Sequence, residues 1–296
     1  MATRVASSRE ADCSREPPPV STTFAMEGAA LRYNAAMRFG EELRANLPAG
    51  GFGQVLYAYD SIDSTNTRAM QLAGAGAAHG TLVVADEQML GRGRGGARWS
   101  TPRGSAVAMS LVLRPSGSSG LRWTGLGALA VAEALRQERL PAWIKWPNDV
   151  LVGGRKLAGV LVEVAWEGNQ PAHVVLGIGI NASAGSAPDH ETLAFPATTV
   201  ESEARRPVSR FLLIGSVLRF VEKWYGLIAS PAFLEAWSKL LAFKDEWVQV
   251  ETGRGVMEGR LLGLGPDGEA RIETDMAEVV LAGADARTLR PLPFPC

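Results

Sequence analysis

Cysteine is nearly absent from this chain: Cys13 and Cys296, one near each end, are the only two in 296 residues. Thiols so placed make neither a disulfide framework nor a metal-ligand cluster, and they fit a reducing cytoplasm. Histidine is almost as scarce, with His79, His173 and His190 alone, which argues against a histidine-based metal centre. Neither sign of charge dominates, since 30 basic residues face 31 acidic ones for a formal net charge of −1. Without a field of one sign, little is available to hold nucleic acid by counterion release. No apolar run approaches the ~20 residues of a membrane span. The first residues lack the hydrophobic stretch of a signal peptide, and Glu10, Asp12 and Glu16 among them disfavour a transit peptide.

What remains is ordinary globular composition, 46% hydrophobic and 21% charged, enough for one large domain and a small appendage. Residues 1–30 are polar, carry Pro17-Pro18-Pro19 and show no periodicity, so they are expected to be a disordered tail. Residues 31–243 read as an α+β body. A short helix over Leu31–Leu47 precedes strands at Val55–Tyr59, Thr81–Ala85 and Ser105–Arg114. The apolar stripe of Leu126, Leu129, Val131 and Ala134 predicts a helix over Trp123–Gln137. Strands Leu157–Ala165 and His173–Ile180 follow, then a long loop over Ala182–Pro207 and a helix over Ser209–Ile228. Ser230 caps a short helix that has Pro231 in its first position. From Lys244 onward, short alternating strands and turn signals predict a small antiparallel barrel over residues 244–296.

The chemistry concentrates in QMLGRGRGGARWSTPRGSAVAMS, Gln88 to Ser110. Gly91, Gly93, Gly95 and Gly96 allow positive φ and close approach of a ligand. Arg92, Arg94 and Arg98 add guanidinium forks, with Trp99 directly behind, so backbone amides and cations together make an anion cradle. Gly91, Gly93 and Gly96 also match a dinucleotide fingerprint, but no helix follows the loop to face a pyrophosphate. An arginine-glycine nucleic-acid tail requires low-complexity surroundings, whereas this loop lies between core strands. A plain solvated loop would be the default if the other blocks were absent.

Those blocks are three. At a strand-to-helix junction, Ser64, Thr65 and Asn66 exceed what one N-cap needs and can read a polar ligand. The run Trp143 to Val152 contains Lys145-Trp146-Pro147-Asn148-Asp149. Pro147 keeps the preceding residue extended and sets Asn148 and Asp149 on a turn. Gly153-Gly154 then forms a hairpin turn, and Lys156 opens an apolar strand. Taken alone, Lys156 would be a solvated lysine. Finally Gly177-Ile-Gly179-Ile-Asn181 ends a buried strand with glycines that allow close approach of a ligand and an amide able to read a base edge.

In their order and combination, Gly91-Arg-Gly-Arg-Gly-Gly96 with Trp99 and Pro102-Arg-Gly104, Lys145 to Asp149 with Lys156 to Gly159, and Gly177 to Asn181 resemble the biotin protein ligase family. The resemblance runs from about Val55 to Ile228, and more loosely into the C-terminal barrel. It implies a mixed sheet flanked by helices, a biotin/lipoate ligase-like catalytic domain, followed by a small SH3-like barrel. It also implies a two-step activity: biotin carboxylate attacks the α-phosphate of ATP to give biotinyl-5′-adenylate, and a lysine of a carboxylase's biotin carboxyl carrier domain then takes the biotin. Carried over residue by residue, Lys156 and Arg94 are catalytic. Biotin is read by Ser64, Thr65, Asn66, Gln88, Gly91, Arg92, Gly93, Arg94, Lys156 and Gly159. The nucleotide meets Arg92, Arg94, Trp99, Asn148 and Asn181. Asp149 orients Lys156 or positions Mg²⁺. ATP and Mg²⁺ are the implied cofactors, and the location is cytoplasmic. Gly95 and Ala97 stand where arginines are frequent in the family, and Thr101 replaces a common serine. The residues before Val55 are too few and too irregular for the DNA-binding helix-turn-helix that some members carry, so no nucleic-acid or membrane partner is expected. A homodimer is compatible with this reading. The rivals are a lipoate ligase of the same fold and, from another class, a non-catalytic repressor or RNA-binding protein.

Overall fold

The computed structural model describes residues 39–115, 117, 120–187 and 195–292. The expected tail over 1–30, the start of the first helix, and both cysteines lie outside them. Residues 39–46 are helical (α1). Seven strands form one sheet: β1 Leu56–Ile62, β2 Leu82–Gln88, β3 Ala106–Leu113, β4 Ala142–Lys145, β5 Asp149–Val152, β6 Arg155–Glu167 and β7 Gln170–Asn181. Their order is β1-β2-β3-β7-β6-β5-β4. Only β1 and β2 run parallel, and α2, Thr65–Gly74, supplies the crossover such a pair requires. Every other neighbouring pair is antiparallel.

Period-2 alternation decides what lies on each face of this sheet. Leu82, Val84, Leu111, Leu113, Val174 and Leu176 join the main core with α3, Gly120–Gln137, and α5, Arg210–Tyr225. The alternate residues Val83, Val112 and Val175 pack on the other face against Ala69, Leu72 and Ala73 of α2. Each fully buried branched side chain of this kind contributes roughly 1.5–3 kcal/mol. The sheet is therefore sandwiched between helices, as the alternating and continuous apolar runs require.

Helix α6, Pro231–Lys239, begins as expected: Ser230 Oγ accepts from Phe233 N at 3.3 Å, with Pro231 in the first turn. One expectation fails. The stretch read as loop over Ala182–Pro207 contains a five-residue helix, α4, Val200–Ala204, capped by Thr199 Oγ1 accepting from Ser202 N at 3.2 Å. Five residues are too few to show helical periodicity, so only the cap could have marked it.

The C-terminal strands, β8 Trp247–Thr252, β9 Gly255–Leu264, β10 Ala270–Glu273, β11 Glu278–Leu281 and β12 Ala286–Pro291, form a second sheet in the order β11-β10-β9-β8-β12. All its pairs are antiparallel, in keeping with a small SH3-like domain. It is tied to the first sheet by buried contacts, among them Trp146 Nε1 donating to Gly268 O at 2.8 Å. No helix among the described residues is long and apolar enough to cross a membrane.

Candidate active site

The three sequence blocks converge on one cavity of about 170 Å³. Ser64 is the N-cap of α2, yet its side chain makes no capping bond, which leaves the hydroxyl for the cavity. The next two residues enter a network that crosses the sheet. Gln88 Oε1 accepts from Thr65 N at 2.8 Å and lies 3.0 Å from Thr65 Oγ1, while Gln88 Nε2 donates to Thr101 Oγ1 at 3.0 Å. Ser110 Oγ stands 2.8 Å from Thr65 Oγ1 and 2.6 Å from Asn66 Oδ1. A hydroxyl has a single proton, so Ser110 donates to the amide oxygen, which can only accept. Thr65's own proton is then contested between Gln88 and Ser110. Asn66 Nδ2 donates to Glu163 Oε2 at 2.9 Å and to Leu161 O at 3.3 Å.

Ser110 and Glu163 were not among the expected site residues. One is a serine in a buried strand and the other an acid on a mostly apolar strand. Neither carries a local signal; only the β2-β3-β7-β6 strand order brings them to Thr65 and Asn66.

The glycines of β7 also work differently from expectation. A Cβ at Gly177 would lie 2.0 Å from Asn66 Oδ1, and one at Gly179 would lie 2.4 Å from the Trp99 ring. They admit two of the chain's own side chains onto the sheet surface, where close approach by a ligand was expected.

The arginine-bearing segment is a short hairpin. Gln88 N donates to Thr101 O at 3.2 Å, Trp99 N to Gly91 O at 2.9 Å and Gly93 N to Ala97 O at 2.6 Å. Its tip is the 3₁₀ turn Arg94–Gly96. Positive φ is confined to Gly95 (65°) and Gly96 (81°), whereas Gly93 is at −114°. Gly91 is required for a different reason, because a Cβ there would meet Trp99 O at 2.3 Å.

All three guanidinium groups are engaged within the protein. Arg92 Nη2 pairs with Glu163 Oε2 at 2.7 Å, and Arg98 Nη2 donates to Met89 O at 3.0 Å. Arg94 reaches the C-terminal domain, donating to Gly283 O at 2.6 Å and to Arg287 O at 3.0 Å. Burial lowers the Arg94 pKa, with the Asp149 carboxylate opposing. Behind the hairpin, Trp99 Nε1 is buried with no hydrogen-bond partner among the described residues.

Beneath lies a buried carboxylate between two amines. Asp149 Oδ1 forms an ion pair with Lys156 Nζ at 2.6 Å, and Asp149 Oδ2 accepts from Lys145 Nζ at 3.1 Å. Burial works to raise the Asp149 pKa, but Lys156 and then Lys145 overcome it, and the carboxyl is held below its ordinary value. Lys156 also stands 5.7 Å from the Trp99 ring centroid. Lys156 is thus not the solvated lysine that its segment alone would suggest. Lys145 shares its counterion.

Asn148, pinned by donation to Val160 O at 3.1 Å, lines the cavity with Ser64, Gly93 and Gly159. Gly91 and Asn181 do not line it; Asn181 is buried and donates to Thr198 O at 3.1 Å. No group of three or more His, Cys, Asp or Glu side chains is arranged to hold a metal among the described residues. Asp149, with an ammonium on each oxygen, does not fit as a Mg²⁺ ligand in this arrangement. The cavity as built sets positive charge beside the uncharged hydrogen-bonding groups of Thr65, Asn66 and Gln88, which suits a ligand with an anionic end and a polar uncharged end.

The chain is similar to known proteins over most of its length. Residues 58–181 match the model of the biotin/lipoate A/B protein ligase family. The bifunctional ligase/repressor BirA of Bacillus subtilis is 32% identical over 250 residues, covering 82% of this chain and 77% of that protein. The biotin–[acetyl-CoA-carboxylase] ligase of Paracoccus denitrificans is 33% identical, covering 75% of this chain and 96% of its own length. Among solved structures, the Aquifex aeolicus biotin protein ligase in complex with biotin and ATP superposes with a TM-score of 0.70 at 28% identity, over 81% of this chain and 100% of that one.

Proposed function

From a chain that belongs to the biotin protein ligase family, we infer an ATP-dependent ligase that activates biotin as biotinyl-5′-AMP and passes it to a lysine of a biotin carboxyl carrier domain. A carboxylate oxygen of biotin attacks the α-phosphorus, and the bond from phosphorus to the β-phosphate oxygen breaks, its electron pair leaving with pyrophosphate. The carrier amine then attacks the acyl carbon, the acyl–phosphate bond breaks toward AMP, and the nitrogen gives up a proton. Neither step needs a nucleophile from the enzyme. Both need two anions brought together and the growing charge stabilised by fixed cations.

Lys156 bridges the biotin carboxylate and the α-phosphate, and Asp149 aims it. Arg92 and Arg94 exchange their internal partners for the same oxygens. Thr65, Gln88, Asn66 and Ser64 hold the uncharged ureido end, with Ser110 setting the orientation of Thr65 and Asn66. Gly93 and Gly159 leave room for the ligand. Trp99 and Asn148 border the nucleotide, and Asn181 reads adenine only if its bond to Thr198 O is exchanged. Magnesium, when the nucleotide carries it, neutralises phosphate charge; the protein side chains here supply no cage of their own. Residues 31–243 form the catalytic unit and 244–296 the small domain that holds Arg94, in a cytoplasmic enzyme.

The observation that carries this reading is the Lys156 ammonium seated on a buried carboxylate in the same cavity as Thr65, Asn66 and Gln88. ATP–pyrophosphate exchange, with biotin and lipoate offered separately, tests it. Exchange should depend on biotin. Exchange with lipoate alone would overturn the substrate, and exchange with neither would overturn the reaction.

A further inference from the structure

The expected anion cradle is short of cations on its own hairpin. Ala97 and Gly95 stand at two of its positions, and Ala97 lines the cavity without any charge. A guanidinium from elsewhere reaches the same place. Arg287 of β12 lines the cavity too, although it lies 190 residues further along the chain.

The route by which it arrives is visible in the strand pairing. In the β12–β8 ladder, Ala286 pairs with Thr252 and Thr288 with Glu251, so Arg287 falls in the register shift between them and pairs with neither. Such a bulge re-aims a side chain, and bulges are over-represented beside active sites. The side chain is also largely uncommitted. Its nearest acid among the described residues, Glu251, is 3.9 Å away, and the Arg287 side chain is 69% exposed. The backbone of the same residue is committed, since Arg287 O accepts from Arg94 Nη2 at 3.0 Å. Arg287 lines, in addition, the wider groove of about 790 Å³ that runs past Leu121, Pro147 and Ala284. It stands where cavity and groove meet.

Resting on the ligase reading above, we infer that Arg287 is a nucleotide-binding residue that holds the β- and γ-phosphates of ATP and the pyrophosphate they become, supplying from the C-terminal domain a cation that the hairpin lacks at Ala97. Lys156 and Asp149 mark the reacting centre. The electron pair released from the α-phosphorus leaves with pyrophosphate, and an anion of that charge is met by a guanidinium where the cavity opens. A planar fork suits two phosphate oxygens at once. The bulge is the device that brings it there.

The test uses the full-length chain, with ATP and inorganic pyrophosphate as probes. Wild-type protein must first show biotin-dependent ATP–pyrophosphate exchange; its failure there defeats the ligase reading itself, separately from Arg287. Arg287→Gln removes the charge from an exposed side chain and leaves the carbonyl that binds Arg94 in place. It should raise the KM for ATP about tenfold, the loss of one charge-assisted contact. Inhibition by added pyrophosphate should weaken in parallel, while kcat and the Kd for biotin stay near wild type. Arg287→Lys should recover part of the loss. An unchanged KM for ATP with unchanged pyrophosphate inhibition would overturn the assignment. So would a defect that weakens biotin and ATP equally, because that is the signature of a disturbed fold.

Discussion

Asp149→Asn is the sharpest probe of how the site is held. The substitution keeps shape and removes the charge that lies 2.6 Å from Lys156 Nζ and 3.1 Å from Lys145 Nζ. The two amines do not suffer equally. The Lys156 side chain is 29% exposed and can turn to water, but the Lys145 side chain is only 10% exposed and cannot. Breaking a buried pair by removing one partner costs about 3–5 kcal/mol; with one of the two lysines able to escape, the lower end, about 3 kcal/mol, applies. Urea unfolding at pH 7 measures it. The sign with pH follows from the depressed Asp149 pKa. The stabilisation is fully present above the unfolded carboxylate value of about 3.9 and is lost as pH falls through the lower folded value. The gap between wild type and variant should therefore hold from pH 8 to about 5 and close only below about 4. Adding Lys145→Met removes the stranded charge and should recover most of the loss. A gap under about 1 kcal/mol at pH 7, in the range of an exposed pair, or a double variant no more stable than the single one, would refute the reasoning.

Lys156→Ala should lower biotin-dependent pyrophosphate exchange by about two to three decades, the scale of removing one fixed donor to developing charge, while biotin still binds detectably by titration calorimetry; full activity would remove Lys156 from the mechanism. Gly177→Ala puts a methyl 2.0 Å from Asn66 Oδ1, and Asn66 is tied to Ser110, Leu161 and Glu163. It should cost about 1–3 kcal/mol in thermal or urea unfolding and weaken biotin binding; unchanged values for both would mean that Asn66 moves freely. Ser110→Ala strips Asn66 Oδ1 of its donor and should raise the biotin Kd about tenfold, read by calorimetry, with the KM for ATP unaffected.

The sheet was legible because its strands alternate or run apolar and are punctuated by turn signals, and α3 and α5 because their apolar stripes persist for four or more turns. Helix α4 was not legible, since one turn has no period. The site divides in the same way. Thr65, Gln88, Arg94 and Lys156 sit in local patterns that look chemical, so residue type and spacing point to them. Ser110, Glu163 and Arg287 meet partners 44, 71 and 193 residues away, and only the folded strand order reveals them. Lys145 stood inside a recognised block, but nothing in that block distinguishes a lysine that touches Asp149 from one that faces solvent.

The hairpin's occupied arginines carry a further consequence for selectivity. Arg92 is held by Glu163 and Arg94 by two carbonyls of the C-terminal domain, so an incoming anion displaces existing partners. Exchanging one hydrogen bond for another is nearly neutral, which leaves a lone phosphate or acetate little to gain. The carbonyls that hold Arg94 are those of Gly283 and of Arg287 itself, at the bulge. Through Arg287 and the carbonyls that hold Arg94, the C-terminal domain is thus part of the site rather than a neighbour to it.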